Sequence, residues 1–447
     1  MNTTEMFAAA LSITTPWFID KIEFTAPQGD SDGRGKVKRE AAIAKKAEQS
    51  TSKKASHHVL NGTHGNRELH ITINFKRGAT FPYPELVDGK EVECKAYDTV
   101  LRTWRHLNFF QYPCYIHAHV PRVGNDSLSP KIVDVPWARS GSGFTLLFES
   151  FVVELAKYMP VSDVAETVGE NDTRLWRVVR HYVEEARAKA DYSEVSKLGM
   201  DETSKKGHNY ITVFVNLDTR RTVFVTGGKD QTTVDRFASD FVAHHGDCDK
   251  IGVVTCDMSL GFQAGIAAHF TKAVTVIDKF HVIKHANEAI DEVRRKEAKE
   301  NILLKNTRYL WLHNDSTLSE KQLARKKELI SKHLKTGRAC MMREELQDVY
   351  NSKNRKEADA GMKKLCSWMM HSRLAPMKKV AKMIRNHWEE ILNYFDQPYT
   401  NSILEGLNSV IQQIKTRARG FRNDNYFTTM IYLICGEIDL DSVLLWE

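Results

Sequence analysis

Alternation of apolar and polar residues predicts β-strands in the first part of the chain. Residues 28–66 interrupt this pattern, because they are rich in Gly, Ser, Lys and His and contain few aromatic or β-branched residues. We therefore expect a β-rich module over residues 1–140 with a flexible, basic insertion at 28–66. The segments with strand-like alternation are 16–25, 69–75, 102–110 and 114–120.

A helical pattern replaces the alternation over residues 144–190. In the first short helix, apolar residues recur at i, i+3, i+4 and i+7 from Val161, and Gly169 then breaks the pattern. A second helix is predicted to begin near Asp172 and to carry three arginines and one histidine on its polar face. This arrangement is typical of a helix-turn-helix with a DNA-recognition helix, which we expect within 141–192. An ordinary corner between two helices has the same pattern. The polar-face residues are Arg174, Arg177, Arg180 and His181.

The middle of the chain has the element order of an RNase H-like α/β domain. A strand at 197–204 is followed by an antiparallel hairpin, and then helices alternate with strands. Residues 285–395 are instead almost wholly helical and rich in Lys and Arg, and an amphipathic helix follows from about residue 402. We therefore predict an α+β multidomain chain. Its catalytic domain would consist of 193–284 and 399–447, separated by a helical insertion at 285–398.

Composition and charge permit nucleic-acid binding without proving it. The chain has 64 Lys and Arg against 57 Asp and Glu, a formal net charge of +7. Aromatic and basic residues interleave in 102–110, which suits DNA contacts but equally suits a half-buried sheet. Further candidate contacts lie in a basic segment near the C-terminus. The candidates from these two regions are Arg102, Arg105, Lys415, Arg417, Arg419 and Arg422.

The cysteines and the hydropathy pattern point to a cytoplasmic protein. The seven cysteines are scattered and form no CxxC pair, which argues against a disulfide framework and against a cysteine-based zinc site. No signal-peptide pattern is present at the N-terminus. No apolar run approaches the roughly 20 residues of a membrane span.

Three acidic residues form the candidate catalytic set. Asp201 and Asp257 follow apolar strand segments, and Glu405 lies in the first turn of a predicted helix. Three such carboxylates could hold two Mg²⁺ ions about 4 Å apart, with Mn²⁺ able to substitute. Each acid also has an ordinary explanation, such as the preference for carboxylates at helix N-termini in the case of Glu405. Glu202 is an alternative ligand to Asp201, and Asp278 and His281 are candidate supporting residues.

The segments around these acids resemble the transposases of the ISL3 insertion-sequence family, which have a DDE catalytic domain. The resemblance implies cut-and-paste transposition with Mg²⁺, binding to terminal inverted repeats, and catalytic roles for the three acids named above. It also implies an RNase H-like fold with a helical insertion between the second and third acids. The matching segments are 103–107, 135–139, 172–176, 201–208, 256–259, 278–281, 291–295 and 401–422.

One departure from the family concerns zinc. Family members usually carry a cysteine-based zinc ribbon before the helix-turn-helix, whereas 81–86 and 123–128 contain no cysteine pair. Cys94 and Cys114 alone cannot complete a tetrahedral site, so we predict a ribbon-like module without zinc.

The function predicted from the sequence is therefore that of a bacterial, nucleoid-associated DDE transposase acting on double-stranded DNA. We expect a homodimer, because two element ends must be brought together. A metal-dependent nuclease or resolvase, and a DNA-binding repressor that does not cleave, are the alternatives. Trp311 and Trp368 in the helical region either stack on a displaced base or pack in the core.

Overall fold

The computed structural model describes residues 3–25, 67–125, 127–206 and 209–444. The expected insertion at 28–66 lies outside these described residues. The chain divides into two compact units, one formed by Met1–Ala186 with Leu440–Glu447 and the other by Arg187–Asp439. Each unit is described by itself below.

The first unit contains a six-stranded sheet. Its central feature is a long antiparallel hairpin of β4 and β5, and β2 pairs with β5 in parallel. The strand order is β1-β2-β5-β4-β3, with β6 also paired to β5. The elements of this part are α1 (Thr3–Ala10), β1 (Trp17–Thr25), β2 (Glu68–Phe75), β3 (Thr80–Pro82), β4 (Glu93–Phe109), β5 (Tyr112–Asn125) and β6 (Leu128–Ile132).

One face of this sheet forms an aromatic core. Alternate residues of β2 are buried, as the sequence pattern predicted, because successive side chains of a strand point to opposite faces. The Trp137 ring packs edge-on against Trp17 at 5.1 Å and against Trp104 at 5.6 Å between ring centroids. Edge-to-face packing of this kind is a favourable arrangement of aromatic rings.

Arg105 of β4 is buried, with only 4% of its surface exposed. Its guanidinium donates to the backbone carbonyls of Cys114 at 3.2 Å and Val168 at 3.4 Å. It also lies 5.4 Å from the centroid of the Phe148 ring. The structure therefore contradicts the expectation that Arg105 contacts DNA. Arg102, three residues earlier on the same strand, is exposed.

Three helices follow the sheet, at the positions expected for the helix-turn-helix. These are α2 (Leu146–Tyr158), α3 (Val161–Val168) and α4 (Asp172–Ala188). Gly169 ends α3 with φ = 73°, a left-handed conformation that glycine adopts without a steric cost. Glu149 is fully buried in α2 and accepts hydrogen bonds from Arg139 (2.8 Å), Ser142 (2.6 Å) and Tyr182 (2.9 Å), so it joins α2 to α4.

The second unit contains a five-stranded mixed sheet with the order β11-β10-β7-β8-β9. β7 pairs with β10 in parallel and with β8 antiparallel, and β10 pairs with β11 in parallel. All four residues of β10 are buried, as the continuous apolar run predicted. The elements are β7 (Lys197–Lys206), β8 (Asn209–Asn216), β9 (Arg221–Gly227), α5 (Gln231–Ala243), β10 (Val253–Cys256), α6 (Leu260–His269) and β11 (Val274–Ile277).

A helical region follows β11 and shares one apolar core. Trp311 is fully buried in this core and donates from its indole to Thr307 Oγ1 at 3.0 Å, which supports the packing role for this residue. Pro376 lies in the first turn of its helix, where proline is favoured, and does not break a helix. The helices are α7 (Lys279–Glu297), α8 (Arg308–Leu312), α9 (Glu320–Ser331), α10 (Lys335–Tyr350), α11 (Arg355–His371), α12 (Ala375–Asn386) and α13 (Trp388–Leu392).

The chain then returns to the sheet through two helices. α14 (Ser402–Arg417) contacts β7, and α15 (Asp424–Cys435) contacts β9. α14 packs closely on β7 at Gly199, where a Cβ would lie 2.5 Å from Leu404 Cδ1 and 2.8 Å from Leu217 Cδ2. A larger residue at this position would therefore displace these leucine side chains.

The interior position of Arg105 leads to a stability prediction. Arg105→Ala is expected to lower the free energy of unfolding by about 2–4 kcal/mol, since it removes a buried side chain together with its hydrogen bonds to two carbonyls and its packing on Phe148. Arg102→Ala, on the exposed side of the same strand, is the matched control and is expected to change it by less than about 0.5 kcal/mol. Denaturant unfolding followed by tryptophan fluorescence measures both values. Equal effects would contradict the structural role of Arg105.

Candidate active site

The register of the parallel strands brings two of the predicted acids to one edge of the sheet. Gly199 of β7 is paired with Thr255 of β10, and Asp201 and Asp257 each follow two residues later. Asp278 follows β11, and its backbone amide donates to the Cys256 carbonyl at 3.1 Å. The carboxyl ends of parallel strands are the usual location of sites in open α/β sheets.

Asp201 is almost buried, and both of its carboxylate oxygens accept hydrogen bonds. Oδ1 accepts from the backbone amide of Glu202 at 2.8 Å, and Oδ2 accepts from the side-chain amide of Asn408 at 2.8 Å. The nearest cationic candidate is His281, whose Nε2 lies 3.9 Å from Oδ1. Burial raises the pKa of Asp201, and the negative charges of Asp257 and Asp278 raise it further.

Asp278 is the most buried acid of this group, with 2% of its surface exposed. Its Oδ1 accepts a long hydrogen bond of 3.3 Å from the Asn401 backbone amide, and its Oδ2 has no partner among the described residues. Burial is the main cause that raises the pKa of Asp278, while His281 acts in the opposite direction. A buried carboxylate oxygen without a hydrogen-bond partner lowers the stability of the folded protein. Such groups are typical of functional positions.

Asp257 and Glu405 are more accessible. Asp257 Oδ1 accepts from the Ser259 backbone amide at 2.8 Å, which fixes the start of the loop after β10. Glu405 is exposed in the first turn of α14. Its pKa is raised first by partial desolvation of the carboxylate beside the sheet, and then by the charges of Asp278 and Asp201. Glu405 is therefore in the electrostatic field of the acids at the sheet edge, although it comes from a distant part of the chain.

Glu202 points to the same group of acids. Burial raises its pKa, as do the charges of Asp257 and Asp201. Lys229 Nζ lies 3.9 Å from its Oε2 and supplies partial compensation. Asp201 and Glu202 thus both remain candidates for direct metal binding.

A polar face of α14 fixes this helix to β7, and sequence reasoning did not identify its role. Asn401 donates from Nδ2 to the Met200 carbonyl at 3.2 Å, and Asn408 holds Asp201 as described above. Further along, Gln412 donates to Thr203 Oγ1 at 2.8 Å, and Lys415 donates to the Ser204 carbonyl at 2.9 Å. The available signal was the recurrence of amide side chains on one helical face beside the apolar stripe. Lys415, predicted to contact DNA, is instead half-buried at this contact.

The donor chemistry of the site fits a hard divalent cation. The acids offer oxygen ligands, repel one another, and include one buried oxygen without a partner. Within the described ranges, however, no group of three or more His, Cys, Asp or Glu side chains is close enough to hold a metal ion. Binding through Asp201, Asp257 and Glu405 therefore requires rotation of their side chains.

The predicted DNA-contacting arginines differ in their surroundings. Arg174 pairs with Glu170 at 2.7 Å and lies 4.3 Å from the centroid of the Phe144 ring, and Arg180 pairs with Glu184 at 2.7 Å. Arg177 is exposed, and no ion pair or hydrogen bond is found for it in the described part of the chain. The later arginines of the candidate set, Arg417, Arg419 and Arg422, are also exposed.

Two family models match the chain, one over the helices that follow the first sheet and one over most of the second unit. Residues 198–431 match a family model described as an ISL3 transposase, and residues 133–183 match the helix-turn-helix domain of transposase family ISL3. The chain belongs to the ISL3 transposase family. The three predicted acids lie within the first match, and α2, α3 and most of α4 lie within the second.

Two curated transposases are similar over most of the chain. The transposase for insertion sequence element IS1557 of Mycobacterium tuberculosis is 26% identical over 359 residues, which cover 72% of this chain and 79% of that protein. The transposase for insertion sequence element IS1001 of Bordetella parapertussis is 26% identical over 348 residues, covering 74% and 84% respectively.

No helix in the described ranges is long and apolar enough to cross a membrane.

The buried position of Asp278 leads to a prediction about pH. Asp278→Asn is expected to stabilise the metal-free protein at neutral pH by about 1 kcal/mol or more, because it removes a buried negative charge while keeping the shape of the side chain. The pKa of Asp278 is raised in the folded protein, so wild type loses stability relative to the variant as the pH rises through that pKa. The difference should therefore close as the pH falls.

Denaturant midpoints of both proteins, measured with EDTA over a pH series, test this prediction. Added Mg²⁺ is expected to raise the midpoint of wild type more than that of the variant. A variant that is less stable than wild type at neutral pH would show that the carboxylate has a structural role.

Proposed function

We propose that this protein is a DDE transposase that binds the terminal inverted repeats of its own insertion sequence, cleaves there, and joins the freed 3′-hydroxyls to target DNA. The observation that carries the proposal is the strand register that places Asp201 and Asp257 at one end of the sheet, together with the docking of α14, which carries Glu405, against β7. All three acids lie within the part that matches the transposase family. Two Mg²⁺ ions would activate the attacking oxygen and stabilise the leaving oxygen.

The strand order supports an RNase H-like catalytic domain. We propose that 193–284 and 399–447 form this domain and that 285–398 is its helical insertion. In the cleavage step, water forms a bond to the scissile phosphorus while the bond to the 3′-oxygen breaks and this oxygen takes a proton. In the joining step, that 3′-hydroxyl attacks a phosphorus of the target and displaces its 3′-oxygen. Asp201, Asp257 and Glu405 would hold the metals, with Glu202 as the alternative to Asp201.

Other residues of the site would position these acids. Asn408 holds one oxygen of Asp201, and His281 lies close enough to limit the repulsion around it. The helix-turn-helix within 141–192, with the β-rich module over 1–140, would bind the element ends. We propose that a homodimer brings two ends together in the bacterial cytoplasm, at the nucleoid.

The cleavage activity is tested with a plasmid that carries the gene and its native flanks. Wild type is expected to cut at discrete flanking positions with Mg²⁺, and not with EDTA, while Asp257→Asn is expected to reduce cutting at least about 100-fold and to keep DNA binding. Asp249→Asn, which changes an exposed acid paired with Lys272, is the matched control and should cut normally. DNA binding without cuts would favour the repressor, and scattered cuts would favour the nuclease.

The recognition helix is tested with Arg177→Ala. This change is expected to weaken binding to the element end by about 1–3 kcal/mol and to relax the sequence preference, because Arg177 has an exposed guanidinium available for a base edge. Arg325→Ala, an exposed arginine of α9, serves as the control. The measurement is a titration of labelled end DNA and of a scrambled duplex at fixed salt. An unchanged affinity for both duplexes would remove Arg177 from the recognition surface.

A further inference from the structure

A groove of about 340 Å³ runs along one face of α7 and is closed on its other side by α8. The residues of α7 that line the groove recur every three or four positions, which places their side chains on one face of the helix. From Phe280 to Arg295 this face is about 22 Å long at the normal helical rise. The residues used in the argument below are Phe280, Lys284, Asn287, Asp291, Arg295 and Arg308.

The groove begins beside the candidate active site. α7 starts directly after Asp278, so its first turn is fixed to the sheet edge that carries the acids. His281 in this turn lies 3.9 Å from Asp201, and the neighbouring Phe280 is 50% exposed in the groove. A DNA strand whose phosphate lies at the acids therefore has the groove immediately next to it.

The end nearest the acids has the chemistry to bind a nucleobase. The Phe280 and His281 rings meet edge-on, with an angle of 87° between the ring planes and 5.9 Å between the centroids. Asn287, two turns further along, also lines the groove. Aromatic rings stack on unpaired bases, and the amide of asparagine pairs with base edges.

The far end has the chemistry to bind a phosphate. The Asp291 carboxylate lies 2.8 Å from Arg294, 3.2 Å from Arg295 and 3.7 Å from Arg308. Three guanidinium groups therefore surround one carboxylate. Lys284 and Glu288, which also line the groove, have opposite charges, so the groove keeps an excess of positive charge. The side chains of Arg295 and Arg308 are more than half exposed, so Asp291 holds in place two cations that still face solvent. Arginine in a fixed orientation is the preferred side chain for phosphate recognition.

We propose that this groove binds a short unpaired segment of one DNA strand next to the scissile phosphate. Its bases would stack on Phe280 and hydrogen-bond with Asn287, and its backbone phosphate would lie against Arg295 and Arg308. Asp291 is then a positioning residue, which gives a role to the 291–295 segment that the three catalytic acids leave unexplained. The inference rests on the proposed function, because it takes the acids to be the place where the strand is cut.

Photo-cross-linking tests the contact without depending on cleavage. The probe is element-end DNA in which thymines around the boundary are replaced one at a time by 5-iodouracil, bound to the Asp257→Asn chain and irradiated. A cross-link to a peptide containing Phe280, from one position or from neighbouring positions, is expected. Cross-links only to other parts of the chain, or none while the DNA is bound, would overturn the inference.

Cleavage kinetics separate this inference from the proposed function itself. Phe280→Ala and the double variant Arg295→Ala with Arg308→Ala are expected to cut a fully paired end about tenfold more slowly. Mismatches at the cross-linking positions should restore part of the rate, because the bases are then already unpaired, and Phe280→Trp should remain close to wild type. Arg325→Ala is the surface control, and thermal unfolding confirms that each variant is folded.

The two hypotheses fail in different ways. If wild type cuts neither the paired nor the mismatched end, the proposed function fails, whereas the cross-link still reports whether the groove holds DNA. If wild type cuts and the groove variants cut both ends as wild type does, the groove has no part in strand binding. Equal slowing on paired and mismatched ends would also contradict the capture of unpaired bases.

Discussion

The contact between α14 and β7 is the constraint on which the candidate site depends. The absence of a side chain at Gly199 lets Leu404 approach the central strand, and the amide side chains of Asn401 and Asn408 then bond to β7. This contact brings Glu405 into the field of Asp201 and Asp278. It joins residues about two hundred positions apart in sequence, so only the tertiary fold can assemble the acids.

The same assembly carries an electrostatic cost in the metal-free protein. The pKa values of Asp201, Asp278 and Glu405 are all raised, with desolvation as the main cause. Like charges raise the pKa further for Asp201 and Glu405. His281 compensates only in part. A bound cation would relieve this repulsion, so the property that destabilises the free protein is the one that favours metal binding. Such opposition between stability and activity is common at functional sites.

Sequence patterns predicted most strands of both sheets and the helices of the helix-turn-helix, because alternation and helical periodicity follow directly from which faces are buried. They did not predict the short strands β3 and β6 or the first half of β4. These patterns did not predict the surroundings of polar and charged residues that are buried or partly buried. Arg105 has the same local pattern as the exposed Arg102, and only the long-range carbonyls of Cys114 and Val168 distinguish them. The contact of Asn408 was likewise hidden, since a surface asparagine and one that holds a buried carboxylate look alike in sequence. Lys415 was chosen for its charge, whereas its bond to Ser204 depends on how α14 docks.

The position of α14 near the end of the chain also matters while the protein is being synthesised. β7 and β10 are synthesised long before residues 402–417, because the whole helical region lies between β10 and α14 in the sequence. A nascent or prematurely ended chain can therefore form the strands that carry Asp201 and Asp257 while it still lacks the third acid and the amide that orients the first. Under the proposed function, DNA cleavage would therefore begin only after α14 has been synthesised and has docked against β7.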